Sequence, residues 1–254
     1  MKKIKLSIIT INKNNARGLE KTIQSVINQN FTNYEYIIID GNSTDGSKDI
    51  LKKYDKKITS WISEPDKGIY NAMNKGIKKA KGEYCLFLNS GDYLVNNKVL
   101  NKAFSLNFNE DIVYGNLLVD NKLVIKPYQD ITLRKLLKSY IPHPSCFIKR
   151  LVFYNHNFYD EKYKIAADWK FFLETLIIKN LSFRYINILI TNFESGGIST
   201  SSRTEIEKQK IINELFPRIY PDYKYYEKKI NELNFYEKFK LCRILKKILK
   251  LLFK

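Results

Sequence analysis

The amino-acid sequence predicts an α/β protein with a mostly parallel sheet flanked by helices, followed by a helical C-terminal extension. Three observations support this prediction. Short β-branched runs alternate with segments of helical periodicity through residues 5–90, carboxylates follow the ends of several of these runs, and the chain has helical character from Arg203 onwards. Because alternating strands and helices form parallel sheets, the loops after the strands are expected to face a ligand-binding crevice.

The alternation is clearest in the first part of the chain. Residues 5–11 and 34–40 are apolar and rich in isoleucine, which is typical of buried strands. Between them, apolar residues from Leu19 to Ile27 recur at helical spacing, and Ser43 or Thr44 is a natural cap for the next helix. The further predicted elements are strands at 58–63 and 84–88, helices at 69–80 and 98–106, strands near 111–115 and 122–126, a helix at 168–178, strand-like segments at 181–193, and helices after 203 that are interrupted at Pro217 and Pro221.

The composition limits the classes of protein that the chain can form. With 254 residues and 44% apolar side chains, it fits one large domain, or one domain with an appendage. Cys85, Cys146 and Cys242 are widely separated and odd in number, which argues against a disulfide framework or a zinc cluster and fits a reducing cytosol. No apolar run approaches the roughly 18 residues of a membrane span, and the N-terminal residues are expected to form a strand rather than a signal peptide.

The charge is strongly positive and unevenly distributed. A formal net charge of +18 indicates an anionic partner, for which nucleic acid, lipid headgroups and phosphorylated small molecules are candidates. Residues 237–254 carry six lysines and one arginine against one glutamate, and apolar residues recur among them at three- and four-residue intervals. This pattern favours a helix lying in an anionic membrane surface. A helix docked on its own domain, or on a second subunit in a homodimer, is the alternative.

Two polar segments lie just after predicted strands. The segment Asn89–Asp92, with the sequence NSGD, places a carboxylate next to a glycine, which suits a hard divalent ion that takes its other ligands from water and a diphosphate. A simple turn at the end of a strand is the alternative. Asp40 opens a second segment, residues 40–46, whose polar side chains suit a nucleotide base and ribose, unless they only cap the following helix.

Four segments occur in order along the first part of the chain. They are Leu6–Asn12, Ile39–Gly46, Ser63–Gly76 with the sequence SEPDKGIYNAMNKG, and Gly82–Asp92 with the sequence GEYCLFLNSGD. Together they resemble the family 2 glycosyltransferases of the GT-A fold, in particular the bacterial enzymes of polysaccharide and lipid-linked oligosaccharide synthesis. The resemblance covers roughly residues 4–200, and four segments in the family's order make it specific.

The resemblance implies a nucleotide-sugar donor, most often a uridine diphosphate (UDP) sugar, and a Mg²⁺ or Mn²⁺ ion that bridges to its diphosphate. Asp92 is the implied metal ligand, because Asn89 replaces the first carboxylate of the family's Asp-X-Asp motif. The implied organisation is a donor-binding half at 1–100, an acceptor-binding and catalytic half at 101–202, and a basic helical extension at 203–254. The residues that it implies for donor binding are Thr10, Ile11, Asn12, Asp40, Asp66, Lys67, Asn74, Asn89, Ser90 and Gly91.

The implied reaction is an inverting transfer, in which a general base takes the proton of the acceptor hydroxyl as its oxygen attacks the anomeric carbon. Asp168, in the segment KIAADWKFF, matches the family's base, with a helix-capping aspartate as the alternative. The resemblance also implies roles near the acceptor for His143 and Trp169, and a loop with Gly196 and Gly197 that closes over the donor. A lone histidine is equally compatible with a packed or surface position.

The leading prediction is therefore a glycosyltransferase that extends a capsule, O-antigen or similar glycan from the cytoplasmic side, bound peripherally to the inner face of the cytoplasmic membrane. A sugar-phosphate nucleotidyltransferase is one alternative, but residues 12–18 lack the glycine-rich, arginine-containing loop typical of that class. The other is a basic nucleic-acid-binding module, which predicts basic residues interleaved with exposed aromatics. Nucleic acid is not expected as a partner, because the basic cluster lies in the amphipathic tail. The sugar, acceptor and linkage stay open.

Overall fold

The computed structural model describes residues 3–196 and 203–237, and residues 244, 245, 248 and 249 of the tail. The chain forms two compact units, Met1–Glu207 and Lys208–Lys254. The first unit has the predicted α/β architecture, and the described residues of the second unit are largely helical. The further division of the first unit into donor and acceptor halves stays a prediction.

A nine-stranded sheet runs through the described part of the first unit. Its strands are β1 (Leu6–Asn12), β2 (Tyr34–Asp40), β3 (Ser60–Ser63), β4 (Tyr84–Phe87), β5 (Tyr93–Leu94), β6 (Ile112–Val119), β7 (Leu123–Ile125), β8 (Cys146–Lys149) and β9 (Phe183–Phe193). The strands follow the order β3-β2-β1-β4-β8-β6-β9-β5, and β7 pairs with β6. The long isoleucine-rich runs of β1 and β2 are almost completely buried, as expected of central strands.

The strand directions determine which loops lie together. β1 pairs in parallel with β2 and β4, and β2 pairs in parallel with β3, so the carboxyl ends of these four strands lie at one edge of the sheet. β8 runs antiparallel to both β4 and β6. Because of this reversal, the start of β8 lies beside the end of β4. The segment before β8 therefore reaches the same edge of the sheet.

The helices of the first unit flank this sheet. α1 buries Leu19, Ile23 and Val26, the residues whose spacing predicts it. The predicted cap of α2 by Ser43 or Thr44 is wrong, because this helix begins after Gly46. The helices are α1 (Ala16–Ile27), α2 (Ser47–Lys53), α3 (Ile69–Lys79), α4 (Val99–Phe104), α5 (Leu133–Lys138), α6 (Arg150–Asn155) and α7 (Ala167–Phe172), which continues as a π-helix over Leu173–Ile178; 3₁₀ turns occupy Asp55–Lys57 and His143–Ser145.

Two further helices follow residue 202. α8 (Arg203–Leu215) ends before Pro217, as predicted, and α9 (Ile219–Glu237) begins just after it. The predicted break at Pro221 is wrong, because this proline lies in the first turn of α9, where a backbone N–H has no partner within the helix. Within the described residues, no helix is both long and apolar enough to cross a membrane.

The predicted amphipathic helix of residues 237–254 lies mostly outside the described residues. Four apolar side chains of this segment are described, and each is 46–52% exposed. They are Ile244, Leu245, Ile248 and Leu249.

Candidate active site

A cavity of about 610 Å³ lies at the carboxyl ends of β1 and β4. Its wall also includes residues from the start of α3, the segment before β8, the start of α7 and the end of β9. This volume is typical of a site for a small ligand or a cofactor. Asp92 and Asp168, which come from distant parts of the chain, both line it. The shared hollow that the glycosyltransferase interpretation requires is therefore present.

The structure brings eight of the predicted site residues together on the cavity wall. They are Ile11, Asn12, Asp66, Asn89, Ser90, Asp92, His143 and Asp168. Lys67 and Gly91 lie next to wall residues in sequence but do not line the cavity, and neither does Gly196. Gly197 lies outside the described residues. The remaining predicted residues, Thr10, Asp40, Asn74 and Trp169, are buried away from the wall.

Asp40 is a structural carboxylate. It is completely buried, and it accepts hydrogen bonds from Asn12 Nδ2 at 2.7 Å, from Ser43 Oγ at 2.6 Å and backbone N at 2.9 Å, and from Ser63 Oγ at 2.5 Å. Burial raises the pKa of the Asp40 carboxyl, but these hydrogen bonds outweigh burial and hold the pKa below its ordinary value. The structure thus does not support the predicted contact of Asp40 with the donor. Asp40 instead orients Asn12, which lines the cavity.

The structure also does not support the predicted substrate contacts of Thr10, Asn74 and Trp169, because the protein itself satisfies the polar groups of these side chains. Thr10 Oγ1 lies 3.0 Å from the Tyr36 hydroxyl, Asn74 Nδ2 donates to the Tyr159 carbonyl at 2.9 Å, and Trp169 Nε1 donates to the Leu136 carbonyl at 2.9 Å. All three residues are at most 5% exposed. None of the three lines the cavity.

Asp66 reaches the cavity because residue 41 is a glycine. The Asp66 carboxylate accepts a hydrogen bond from the Gly68 backbone N at 2.9 Å. A β carbon at Gly41 would lie 2.3 Å from Asp66 Oδ2, which is far closer than two such atoms can approach. Any side chain at position 41 would therefore displace the Asp66 carboxylate.

Ser90 joins the loop after β4 to the end of β1. Its hydroxyl donates to Asn12 Oδ1 at 2.7 Å, and its backbone N donates to the Ile11 carbonyl at 3.1 Å. These bonds hold three of the predicted donor-binding residues in a fixed arrangement.

Asp168 lies in the first turn of α7 and is held by Tyr70. The Tyr70 hydroxyl lies 2.7 Å from Asp168 Oδ1 and 2.7 Å from the Ile165 carbonyl, so its single proton serves one of them at a time. Burial, with the negative charge of Asp168 added, raises the pKa of Tyr70 well above its ordinary value. Tyr70 thus stays a neutral donor that orients one oxygen of Asp168.

Glu207 holds the segment that precedes Asp168. Its carboxylate accepts hydrogen bonds from three successive backbone N–H groups, those of Lys164 at 2.8 Å, Ile165 at 2.9 Å and Ala166 at 3.0 Å. A carboxylate at the start of a helix also interacts favourably with the helix dipole. The position of Asp168 therefore depends on a glutamate from α8.

His143 lies beside the cavity, within an aromatic group. Its Nε2 lies 2.7 Å from the Tyr159 hydroxyl, and its ring stacks on Phe87 with the ring centroids 5.0 Å apart. Burial lowers the pKa of His143, and the negative charge of Asp168 opposes this only in part. The imidazole is therefore neutral at pH 7.

Asp92 and Asn89 form the acidic end of the cavity. Asp92 is only 3% exposed, and burial raises its pKa to about 7 even though its carboxylate accepts backbone N–H groups from Glu194 and Asn89, both at 3.2 Å. The buried Asn89 Oδ1 has no hydrogen-bond partner in the described part of the chain. Carboxylate and amide oxygens suit Mg²⁺ and Mn²⁺, so both residues fit the ion that the sequence predicts.

Such an ion would receive few ligands from the protein. The described residues contain no group of three or more His, Cys, Asp and Glu side chains arranged for a metal ion. Water and a diphosphate would have to supply the remaining positions, as Mg²⁺ commonly requires.

Several wall residues were not singled out from the sequence. Lys13 and Lys164 bring positive charge to the cavity, and Tyr70 and Glu194 bring a donor and a carboxylate. Tyr70 and Glu194 occur in segments that resemble the family, but nothing in the sequence indicates the residues that they contact. Tyr70 and Asp168, for example, are 98 positions apart.

Known glycosyltransferases are similar to this chain over most of its length. The family model described as glycosyl transferase family 2 matches residues 7–166. A PGL/p-HBAD biosynthesis glycosyltransferase of Mycobacterium bovis (strain BCG / Pasteur 1173P2) is 28% identical over 202 residues, which cover 77% of this chain and 79% of the relative. An uncharacterised glycosyltransferase of Mycobacterium tuberculosis (strain ATCC 25618 / H37Rv) is 32% identical over 205 residues, which cover 77% of each chain.

Solved structures share the fold at lower sequence identity. Residues 1–349 of TarS from S. aureus, in complex with UDP, match with a TM-score of 0.66 and 20% identity, covering 82% of this chain and 64% of that chain. The mannosyltransferase PcManGT of Pyrobaculum calidifontis, in complex with GDP-Man and Mn²⁺, matches with a TM-score of 0.57 and 14% identity, covering 81% of this chain and 60% of that chain. This chain thus spans less than two thirds of either structure, and the likeness confirms the predicted GT-A fold. Given the matched model and these relatives, the chain is a glycosyltransferase and belongs to glycosyl transferase family 2.

Proposed function

We propose that this glycosyltransferase moves a sugar, with inversion, from a nucleotide-sugar donor, most often a UDP-sugar, to a hydroxyl of a glycan or lipid-linked acceptor. The observation that carries the proposal is the cavity in which Asp168, oriented by Tyr70, faces the same space as Asn89 and Asp92. A base and a diphosphate-binding end within one cavity are what this transfer requires. The TarS structures hold UDP and UDP-GlcNAc, which supports a donor of this class.

Donor binding is assigned to the end of the cavity formed by β1 and β4. Ile11, Asn12 and Asp66 are suited to the base and ribose, while Lys13 and Lys164 bring positive charge for the phosphates. Bound Mg²⁺ or Mn²⁺, with Asn89 and Asp92 among its ligands, would offset the negative charge that develops on the departing diphosphate. The Asn12–Ser90 bond keeps this end of the cavity in one arrangement before the donor arrives.

Asp168 is assigned as the general base. Tyr70 engages Oδ1, so Oδ2 is the oxygen that would take the proton of the acceptor hydroxyl. A correctly placed base contributes typically about 10²–10⁴-fold to the rate. Neutral His143 would border the acceptor.

The wider role is a proposal of the same kind. Transfer to a lipid-linked acceptor would place the enzyme at the inner face of the cytoplasmic membrane during synthesis of a surface polysaccharide such as capsule or O-antigen. The net +6 charge of residues 237–254 supports contact with an anionic membrane. Flotation with phosphatidylglycerol vesicles, but not with phosphatidylcholine vesicles, is the expected result. A homodimer through this tail predicts no flotation and a doubled mass in light scattering.

A donor screen tests the class of substrate. Melting temperatures are measured with UDP-, GDP-, dTDP- and CMP-sugars, with and without Mn²⁺, because a ligand that binds only the folded protein raises the melting temperature. We expect the largest shift with a UDP-sugar and Mn²⁺. If no nucleotide-sugar raises the melting temperature, the proposal is wrong.

A base variant tests the mechanism. Asp168→Asn should bind the donor normally and lose turnover by at least about 10²-fold. Asp49→Asn, which removes a carboxylate that is 82% exposed on α2, is the matched control and should behave as wild type. Near-normal turnover of Asp168→Asn would contradict the assignment. Slow transfer to water supplies a second measurement, because NMR of the freshly released sugar should show the anomer opposite to that of the donor.

A further inference from the structure

Glu194, directly after β9, occupies the space that residue 91 leaves empty. Gly91 has a positive φ of 109° and no side chain, and a β carbon built there would lie 2.3 Å from Glu194 Oε2. The Glu194 carboxylate therefore lies where a side chain of the Asn89–Asp92 segment would otherwise be. A carboxylate from a distant part of the chain therefore lies against the backbone of this segment.

The backbone fixes Glu194 against Asp92. The Glu194 backbone N donates to Asp92 Oδ1 at 3.2 Å, a bond that does not depend on the Glu194 side chain. Both carboxylates line the cavity, as does Asn89, whose buried Oδ1 has no partner among the described residues. The acidic end of the cavity thus holds oxygens from three side chains, Asn89, Asp92 and Glu194.

Asp92 is buried and Glu194 is exposed, and two neighbouring carboxylates repel each other unless a cation lies between them. A divalent ion would remove this repulsion and would satisfy the unpaired Asn89 oxygen at the same time. If Asp92 were the only carboxylate, the protein would supply one negative charge to an ion that carries two positive charges. Glu194 is therefore the residue that matches the charge of the site to that of Mg²⁺ or Mn²⁺.

We propose that Glu194 supplies the second protein carboxylate of the divalent-cation site, beside Asp92 and Asn89. This inference rests on the proposed metal-assisted transfer. It adds a ligand that lies about a hundred residues beyond the Asn89–Asp92 segment, since Glu194 and Asp92 are 102 positions apart.

Mn²⁺ binding tests the assignment without reference to catalysis. Binding of MnCl₂ to the full chain, with and without UDP, is followed by the loss of the free-ion electron paramagnetic resonance signal. Glu194→Gln keeps the backbone bond to Asp92 and the shape of the side chain, and we expect it to weaken Mn²⁺ binding at least about 10-fold. Glu194→Asp keeps the charge on a shorter side chain, so its affinity for Mn²⁺ should lie between those of wild type and Glu194→Gln. Glu232→Gln, which removes the same charge from α9, is the matched control.

Asn89→Asp provides the opposite change. A third carboxylate should lower the melting temperature in EDTA, because like charges then crowd the site, and should make the increase caused by Mn²⁺ larger than in wild type. If Asn89→Asp loses stability in EDTA and Mn²⁺ does not restore it, no cation binds among these residues and the inference is wrong.

The outcomes separate this inference from the proposed function. Normal Mn²⁺ binding by Glu194→Gln would overturn the role of Glu194 and leave the transferase proposal intact. A wild type that transfers sugar in EDTA and binds no Mn²⁺ would overturn the cation site but not the transfer. A wild type that binds no nucleotide-sugar in the donor screen would overturn both.

Discussion

Replacing Glu207 with glutamine should lower kcat more than it weakens donor binding. The Glu207 carboxylate accepts three backbone N–H groups just before α7, at 2.8–3.0 Å. A glutamine side chain has one acceptor oxygen, so it keeps at most two of these bonds and makes them neutral instead of charged. Losing one charge-assisted bond, at about 1.5 kcal/mol, and weakening two others by about 0.7 kcal/mol each gives a total near 3 kcal/mol.

This energy sets an upper limit on the loss of rate. If all of it opposes the placement of Asp168 in the transition state, kcat falls by about 100-fold, because about 1.4 kcal/mol corresponds to a factor of ten. We expect a decrease of about 10- to 100-fold, since water can replace part of the lost bonding.

The assay is release of UDP from a UDP-sugar, compared with the donor dissociation constant from calorimetry. Glu205→Gln is the matched control, because Glu205 is an exposed glutamate two residues earlier in the same helix. A Glu207→Gln variant with the kcat of wild type would refute the reasoning. So would a variant that loses donor affinity as strongly as it loses kcat, because the effect would then not be specific to Asp168.

Three further predictions concern residues that line the site or lie next to it. Tyr70→Phe removes the hydroxyl that orients Asp168, so kcat should fall about 10-fold with an unchanged donor dissociation constant in calorimetry; a loss of donor binding instead would contradict this role. Gly41→Ala places a methyl group 2.3 Å from Asp66 Oδ2, and displacement of that carboxylate should weaken donor binding about 10-fold in the same titration. Asp40→Asn should lower the free energy of unfolding in urea at pH 7 by about 2–3 kcal/mol. Because the folded-state pKa of Asp40 lies below its ordinary 3.8, the stability that Asp40 contributes is present above pH 3.8 and is lost as the pH falls further. The difference between wild type and Asp40→Asn should therefore shrink below pH 3.8, and a difference independent of pH would show that the carboxylate charge is not involved.

The strands β1, β2 and β4 could be predicted from the sequence because each is a local feature. Residues 34–40 form β2 as predicted, β1 is shifted by one residue at both ends from the predicted 5–11, and β4 ends one residue before the predicted 88. These strands are central, so their side chains are apolar on both faces and stand out in the sequence. β8 has only four residues and no such run, and its place between β4 and β6 depends on pairing with distant strands.

The site could be predicted only in part, for a related physical reason. Asn89, Asp92 and Asp168 occur in segments with recognisable composition, and all three line the cavity. Asp40 follows the same pattern of a carboxylate at a strand end, yet Ser43 and Ser63 fill its hydrogen-bonding capacity. Which carboxylates face solvent and which face hydroxyls is decided by tertiary contacts that composition does not encode.

The place of β8 between β4 and β6 has a consequence for synthesis of the protein on the ribosome. The sheet is continuous from β1 to β9 only through β8, whose four residues join β4 to β6. The earlier strands emerge first, and they have no neighbour on that side until residues 146–149 have left the exit tunnel. Asp168 and Glu207 emerge later still, so a nascent chain that ends before residue 168 lacks the carboxylate that we propose as the base.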